Sequence, residues 1–368
     1  MTDPQRSGYA DSFASGQLTR RPAIEATTEL GAYLRDFRSR YGFSDIVRYV
    51  EGARRLRVLA VGETIIDEYE YCETIGKSGK EPILAARYVS RDRFAGGVLA
   101  VANQVAVAAG DVVTVTCIGE RDSHEEFIRS ALRENVRLEA ISLPDAPTIV
   151  KRRFVEIYPL QKLFELYIMD GHDGTEQDRL CETLERVLPQ VDAVVVADYG
   201  HGMLREEAVE LLCSKAPFLS INTQMNADNR GFNTVSKYSR ADFVSVSEHE
   251  LRLEARSRHR DLRGIAEETA DRLGCGTLLT TRGRRGCAVY GREAGYFEIP
   301  ALTKAIVDRV GAGDAVLALT SLLAAQSAPA EMIGLVGNAV GAAAVGIVGN
   351  MSVVELEPFV AELEELLR

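Results

Sequence analysis

Val307-Asp308-Arg309-Val310-Gly311-Ala312-Gly313-Asp314-Ala315 is the stretch on which the reading of this chain turns. An apolar, β-like approach leads into it, from Tyr296-Phe297-Glu298-Ile299-Pro300 through Ala305-Ile306-Val307. A small-residue helical run, Ala315 to Ala325, follows. A Gly-Ala-Gly turn therefore opens a helix. Such a turn gathers bare backbone N–H groups at the positive end of the helix, which suits an anion. Asp314 stands at the mouth of that turn. A carboxylate repels an anion, so its place there has a chemical sense of its own. It can take a proton from a hydroxyl while the N–H groups hold the phosphoryl group that the hydroxyl attacks. The competing reading makes Asp314 only a helix cap and the glycines only a turn.

Outward from this motif the chain repeats one rhythm: an apolar strand, a polar end, then a helix. Arg57-Val58-Leu59-Ala60-Val61-Gly62 is followed by Glu63 and Asp67, and Val191 to Ala197 by Asp198-Tyr199-Gly200-His201-Gly202. Phe218-Leu219-Ser220-Ile221 leads to Asn222-Thr223-Gln224. Phe243-Val244-Ser245-Val246 leads to Ser247-Glu248, and Thr277 to Thr281 leads to Arg282-Gly283. That rhythm predicts a doubly wound α/β sheet, mainly parallel, with its site at the carboxyl ends of the strands. No Gly-x-Gly-x-x-Gly follows the first strand, which disfavours a dinucleotide fold. The full Gly-x-x-x-x-Gly-Lys-Ser/Thr pattern of a P-loop is absent, because Gly76-Lys77-Ser78 is preceded by Tyr71 where the first Gly is required.

Two segments break the rhythm. Residues 69–94 mix Tyr, Ile, Val and charges around Gly76, Gly79 and Pro82, and predict two or three short antiparallel strands outside the main sheet. Residues 148–170 alternate like a hairpin. Lys151 and Arg153, two apart, share one strand face; that face is a basic patch for a phosphate or a solvated edge strand guarded by charges. Asp67 is a ligand for substrate hydroxyls or a turn residue. Gly96-Gly97 opens a helix from Val98 to Ala109 and lets a ligand approach the backbone.

Composition sets limits. The 368 residues are 46% hydrophobic and 26% charged, an ordinary globular balance. The formal net charge of -11 argues against a nucleic-acid surface, so an anionic substrate needs a local basic pocket. The six scattered cysteines form no Cys-x-x-Cys pair and read as reduced thiols in a cytoplasmic protein. The stretch from Ile333 to Val348 is apolar but rich in Gly and Ala, and reads as a buried packing helix, so no membrane span is expected. Residues 1–22 are polar and read as a mobile arm. From Ala23 to Arg54 a helical stripe (Ile24, Leu30, Leu34, Phe37, Ile46, Val50), interrupted at Gly42 and Ser44, reads as a packing or oligomer element within an N-terminal extension of residues 1–56.

With these pieces in order, about residues 57–356 resemble the ribokinase-like, PfkB-type carbohydrate kinases, and a kinase domain of residues 57–368 is expected. Asp308-Arg309-Val310-Gly311-Ala312-Gly313-Asp314 resembles the second signature of that family. Lys80-Glu81-Pro82-Ile83, Lys151-Arg152-Arg153 and Ala197-Asp198-Tyr199 are similar to the kinase domain of bacterial heptose-phosphate kinases. The resemblance implies a three-layer α/β/α fold with a small β-strand lid, and a homodimer. It implies ATP and Mg²⁺ as cofactors and a sugar or sugar phosphate as acceptor. Asp314 is then the base, and Gly311, Ala312 and Gly313 form the anion hole. Asp67, Gly96, Gly97, Lys151, Arg153 and Asp198 hold the sugar, while Thr281, Gly283 and Asn338 border the nucleotide and Glu248 the metal.

The sequence also departs from the family pattern. The family's Asn-x-x-Glu is Ser245-Val246-Ser247-Glu248 here, an Asn after the Gly-Gly pair is Ala100, and a Lys is His201. Asn222-Thr223-Gln224 replaces an Asp-Pro-Lys, and Glu165 stands where an Arg is expected. These losses keep a second reading open, that of a kinase-fold protein that binds a sugar phosphate or nucleotide without efficient transfer. No His-x-Gly-His occurs, so a nucleotidyltransferase activity is not expected.

Overall fold

The computed structural model describes residues 29–170, 174, 176–303 and 305–368. The arm of residues 1–22 and the start of the following stripe lie outside the described residues. The helical stripe becomes two helices, α1 (Glu29–Arg40) and α2 (Phe43–Gly52), with Gly42 as the N-cap of α2 and Asp45 closing the capping box. The apolar run after them is β1 (Arg57–Gly62), and β2 (Thr64–Lys77) and β3 (Leu84–Gly97) follow. Next come α3 (Val98–Val105), β4 (Asp111–Arg121), α4 (Glu125–Ala131) and β5 (Val136–Pro147). The hairpin is β6 (Ile149–Ile157) and β7 (Leu160–Ile168).

The second half alternates more regularly. It runs α5 (Gln177–Val187), β8 (Ala193–Asp198), α6 (Glu206–Lys215), β9 (Leu219–Thr223), β10 (Phe243–Ser247), α7 (Glu248–Glu254), α8 (Leu262–Leu273) and β11 (Thr277–Thr281). A hairpin, β12 (Cys287–Gly291) and β13 (Gly295–Ile299), precedes α9 (Ala312–Ala325), α10 (Ala330–Ala344) and α11 (Leu356–Leu367).

One nine-stranded sheet has the order β13-β12-β11-β10-β9-β8-β1-β4-β5. From β5 to β11 the neighbours are parallel, and β12 and β13 pair antiparallel. Alternate residues of a strand face opposite layers. Val58 and Ala60 join one core with α3, α9 and α10, and Leu59 and Val61 join the other with α5, α6 and α8. Leu34, Phe37, Ile46 and Val50 enter the first of these cores, and Gln326 donates to the Tyr49 carbonyl at 2.8 Å. The N-terminal helices thus share the core of the strands.

The second sheet has the order β3-β2-β6-β7. Its strands are longer than the sequence predicts, because β2 grows straight out of β1 and β3 runs on into Gly97. Two antiparallel hairpins are joined by a parallel pairing of β2 with β6. Strand β6 is therefore an inner strand, which removes the reading of Lys151 and Arg153 as charges guarding a solvated edge. The helix after Gly97 ends at Val105, earlier than Ala109; β5 and β12, which the strand rhythm did not reveal, and β13, the β-like approach of Tyr296 to Ile299, complete the edges. No helix among the described residues is long and apolar enough to cross a membrane; the apolar stretch from Ile333 contributes to α10.

Candidate active site

The turn before α9 is held from beneath by Asp308. Its Oδ1 accepts from the backbone N–H of Arg309 at 2.6 Å and of Val310 at 3.1 Å. Its Oδ2 accepts from the Tyr69 hydroxyl at 2.8 Å and from the Gly349 N–H at 3.0 Å. Lys162 of β7 forms an ion pair with Oδ1. Burial alone would raise this carboxyl, but the Lys162 and Tyr69 contacts outweigh it and hold Asp308 below the usual carboxylate range.

Gly311 follows with φ +81, and a Cβ there would lie 2.1 Å from Oδ1 of Asn350. No side chain caps α9. The N–H groups of its first turn, those of Gly313 and Asp314 among them, have no helical acceptor by the geometry of a helix start. Asp314 lies inside that first turn, one residue past Gly313, so it is not the cap.

Asp314 reaches the carboxyl ends of the strands. Its Oδ1 accepts from the Tyr199 hydroxyl at 2.7 Å. Tyr199 is fixed in turn by the loop after β8. Its N–H donates to Glu63 at 3.0 Å, and its carbonyl accepts from Asn226 at 2.6 Å and Asn229 at 2.9 Å. Glu63 also accepts from the His201 N–H at 2.9 Å. Burial pushes the Asp314 carboxyl up to about 6, with the Tyr199 hydroxyl pulling the other way. That value suits a group that must be ionised, yet basic enough to take a proton, near neutral pH.

On one side of Asp314 a cavity of 1120 Å³ opens, walled by Phe94, Ala100, Gly311, Asn350 and, further out, Arg91, Arg93 and Arg133. Asp67 stands on β2 beside it, bound to Arg153 and accepting from Asn350 at 2.8 Å. It is a buried strand residue, not a turn residue. Gly96 is required by contact: a Cβ there would sit 2.2 Å from Oδ2 of Asp67. Gly97 has φ +60, and a Cβ would meet the Glu63 carbonyl at 2.4 Å.

Lys151 is buried between the rings of Tyr167 and Tyr199, 4.9 and 5.7 Å from their centroids. Among the described residues no carboxylate lies within ion-pair distance of it, and burial lowers its pKa. His201 is buried nearby, with Nδ1 3.2 Å from Asp228 and Nε2 without a partner among the described residues. Burial and the Lys151 charge lower its pKa.

Asp198 stands apart from this group. Its carboxylate is fully buried and accepts from Tyr238 at 2.7 Å, Lys237 at 2.8 Å, Asn233 at 3.2 Å and the Gly200 N–H at 3.0 Å. It lines neither cavity. Its neighbour Tyr199 makes the contact with Asp314 instead.

On the other side of Asp314 lies a cavity of 710 Å³. Thr281, Gly283 and Asn338 line it, as do Ala312 and Gly313. The Asn338 amide is already given to the Pro300 carbonyl at 2.7 Å, so this side chain braces the wall. Glu248 lines it too, ringed by Arg252 at 2.9 Å, Arg282 at 3.3 Å and Arg285 at 2.5 Å.

The model of the pfkB family of carbohydrate kinases matches residues 55–355. The chain belongs to that family. The chain is 28% identical over 302 residues to the bifunctional protein HldE of Vibrio vulnificus strain CMCP6. That alignment covers 82% of this chain and 62% of the relative. A similar protein of Koribacter versatilis is 28% identical over 304 residues, with the same two coverages. The chain thus spans less than two thirds of the length of these relatives. Among solved structures it is similar to phosphofructokinase-2 of Escherichia coli, with TM-score 0.66, 16% identity, and 85% and 99% of the two chains covered. It is also similar to ribokinase of Thermotoga maritima, with TM-score 0.64, 17% identity, and 84% and 99% covered. The fold is ribokinase-like.

Of the residues that sequence reasoning singled out, the structure sets Gly311 and Gly313 at the start of α9 with Asp314, and Gly96 against Asp67. That reasoning did not single out Tyr199, Glu63 and Asn350, which contact Asp314, Tyr199 and Asp67 in turn. Tyr199 and Glu63 lie in strand ends already quoted for their acidic or glycine neighbours; Asn350 carried no local signal.

Proposed function

We propose that this chain transfers the γ-phosphoryl group of ATP to a hydroxyl of a sugar or sugar phosphate. One observation carries the reading: Asp314 lies on the wall of both cavities, at the uncapped start of α9. An acceptor hydroxyl from the larger cavity and a nucleotide from the smaller one meet there. Asp314 takes the hydroxyl proton as the new O–P bond forms and the bond to the ADP oxygen breaks. The N–H groups of the Gly311-Ala312-Gly313 turn carry the charge on the transferring group.

On the acceptor side Asp67, fixed by Arg153 and Asn350, accepts hydrogen bonds from sugar hydroxyls, and Gly96 and Gly97 leave room for it. Lys151 and Arg153 supply positive charge for an acceptor bearing a phosphate. The resemblance to heptose-phosphate kinases favours such an acceptor. Thr281 and Gly283 border the nucleotide, with Asn338 bracing that wall. The four-stranded sheet closes over the acceptor and excludes water. Its exposed Ile83, Leu84, Tyr88 and Phe164 suit a homodimer contact. The site of action is the cytoplasm.

Mg²⁺ supplies neutralising charge to nucleotide phosphates in this chemistry. Glu248 and Glu250 on this wall do not fit it as direct ligands, because Glu248 is bonded to three guanidiniums and Glu250 to the N–H groups of Ser247 and Met225. Nor does any group of three or more His, Cys, Asp or Glu among the described residues suit a metal ion.

A second reading, binding without efficient transfer, draws on Glu165, which pairs with Arg153 at 3.3 Å and takes up charge meant for an acceptor. ADP release by the wild type and Asp314→Asn, with ATP and Mg²⁺ against a panel of sugars and sugar phosphates, separates the two. Turnover on one acceptor that collapses in the variant supports the kinase. Nucleotide binding with no turnover on any acceptor supports the binding protein.

A further inference from the structure

The smaller cavity is basic in an acidic protein. Five arginines, Arg252, Arg282, Arg284, Arg285 and Arg309, line it against three carboxylates, Glu248, Glu250 and Asp314, whereas the whole chain carries -11. Three of the arginines come from one tight turn after β11. Gly283 has φ +57 and Gly286 φ +82, and the Arg282 N–H donates to the Gly286 carbonyl at 2.8 Å. A Cβ on Gly286 would lie 2.0 Å from the Ile299 carbonyl, so the turn is pressed against the end of β13. Arg284 and Arg309 have no ion-pair partner among the described residues.

Glu248 sits at the centre of this group. Its side chain is 12% exposed, and Arg252, Arg282 and Arg285 together occupy both carboxylate oxygens. Arg282 also reaches Glu298 at 2.9 Å. A carboxylate so neutralised gains little by trading three guanidiniums for a metal ion. All three arginines line the cavity that Ala312 and Gly313 also line. Their planar forks match phosphate oxygens in pairs of hydrogen bonds.

Building on the kinase reading, we infer that Arg282 and Arg285 clamp the phosphate chain of the nucleotide, and that Glu248 is their resting counter-ion and not a magnesium ligand. Glu248 spreads the arginines in the empty site and lets them turn to a polyphosphate when one enters. The clamp binds the second and third phosphates, so it distinguishes a nucleoside diphosphate from a monophosphate. It acts whether or not the nucleotide brings Mg²⁺.

Isothermal titration of the full chain with ADP and with AMP, in EDTA and in Mg²⁺, tests this. Wild type is expected to bind ADP in EDTA. Arg282→Gln and Arg285→Gln should each weaken that binding about tenfold or more and leave AMP binding within about twofold. Arg285 is largely exposed, so its variant guards against loss of fold. Glu248→Gln should keep ADP binding in EDTA and leave the Mg²⁺ requirement of binding within about twofold. A tenfold or larger rise in that requirement, with the arginine variants unchanged, would make Glu248 a metal ligand and overturn the inference. Equal losses for AMP and ADP would reduce the arginines to a structural role and also overturn it. Wild type that binds neither nucleotide in either buffer removes the kinase reading together with the clamp.

Discussion

The Tyr199 hydroxyl donates to Asp314 at 2.7 Å, across the seam where the two cavities meet. A hydrogen bond to the ionised form of a carboxyl favours that form. Asp314 must be ionised to take a proton, so kcat/KM should rise with pH through about 6 and level off above it. Tyr199→Phe removes the donor and leaves the ring. The Asp314 carboxyl then rises further, and the acid limb of the pH profile should move up by about one unit. An unmoved limb in Tyr199→Phe would mean that this contact does not govern the base.

Asp314→Asn keeps the shape of the side chain and removes the base. Turnover should fall by about 10²- to 10⁴-fold. Asp314 is held as a carboxyl raised by burial, so the folded state binds a proton more tightly than the unfolded chain. Its ionisation therefore costs stability as pH rises from the ordinary carboxyl range through about 6. The amide escapes that cost, so thermal unfolding at pH 7.5 should show Asp314→Asn at least as stable as wild type. A large drop in melting temperature would assign Asp314 a structural role.

Gly96→Ala puts a methyl group where Oδ2 of Asp67 now lies, 2.2 Å away. The backbone of Gly96 is not in the left-handed region, so the cost falls on Asp67 rather than on local strain. The acceptor KM should rise about tenfold or more through the displaced carboxylate, with the ATP KM unchanged. Steady-state kinetics with each substrate varied in turn would read this split; equal rises in both constants would count against it.

Lys162→Met breaks the ion pair between the four-stranded sheet and Asp308 while keeping the length of the side chain. Lys162 is about one-third exposed, so stability should drop by no more than about 1 kcal/mol. Asp308 has its folded pKa depressed, so its contribution is present above the unfolded value and is lost as pH falls through the folded one. The stability gap between wild type and Lys162→Met should therefore be seen at neutral pH and close in acid, by urea unfolding at a series of pH values. A gap that is constant down to strongly acid pH would exclude this ion pair as its source.

The sheet was legible because parallel strands buried on both faces read as unbroken apolar runs, as in Ala193–Asp198. The turn at Gly311 was legible because its chemistry is local: glycine, small residue, glycine, acid. The braces of the site were not. Asp67 meets Asn350 across 283 positions, and Asp308 meets Tyr69 across 239. No spacing along the chain encodes such pairs. Asp198 misled for a related reason. A carboxylate at a strand end looks the same in sequence whether it faces a ligand or, as here, Lys237 and Tyr238. Strand β5 alternates weakly between Val136 and Pro147, and its place is set by pairing with β4 rather than by its own pattern.

Strand β1 passes into β2 through the single residue Glu63, whose carboxylate is tied to the loop after β8 and whose carbonyl accepts from Val98 at 3.0 Å. That residue is a fulcrum. Asp67 is four positions along the arm, roughly 13 Å out, while Lys162, level with Tyr71 and Cys72, is at roughly twice that radius. A swing of the four-stranded sheet about Glu63 therefore carries the fastening at Lys162 about twice as far as the sugar-facing carboxylate. On the proposed function, such a swing would part Lys162 from Asp308 while Asp67 travels only a fraction of that distance.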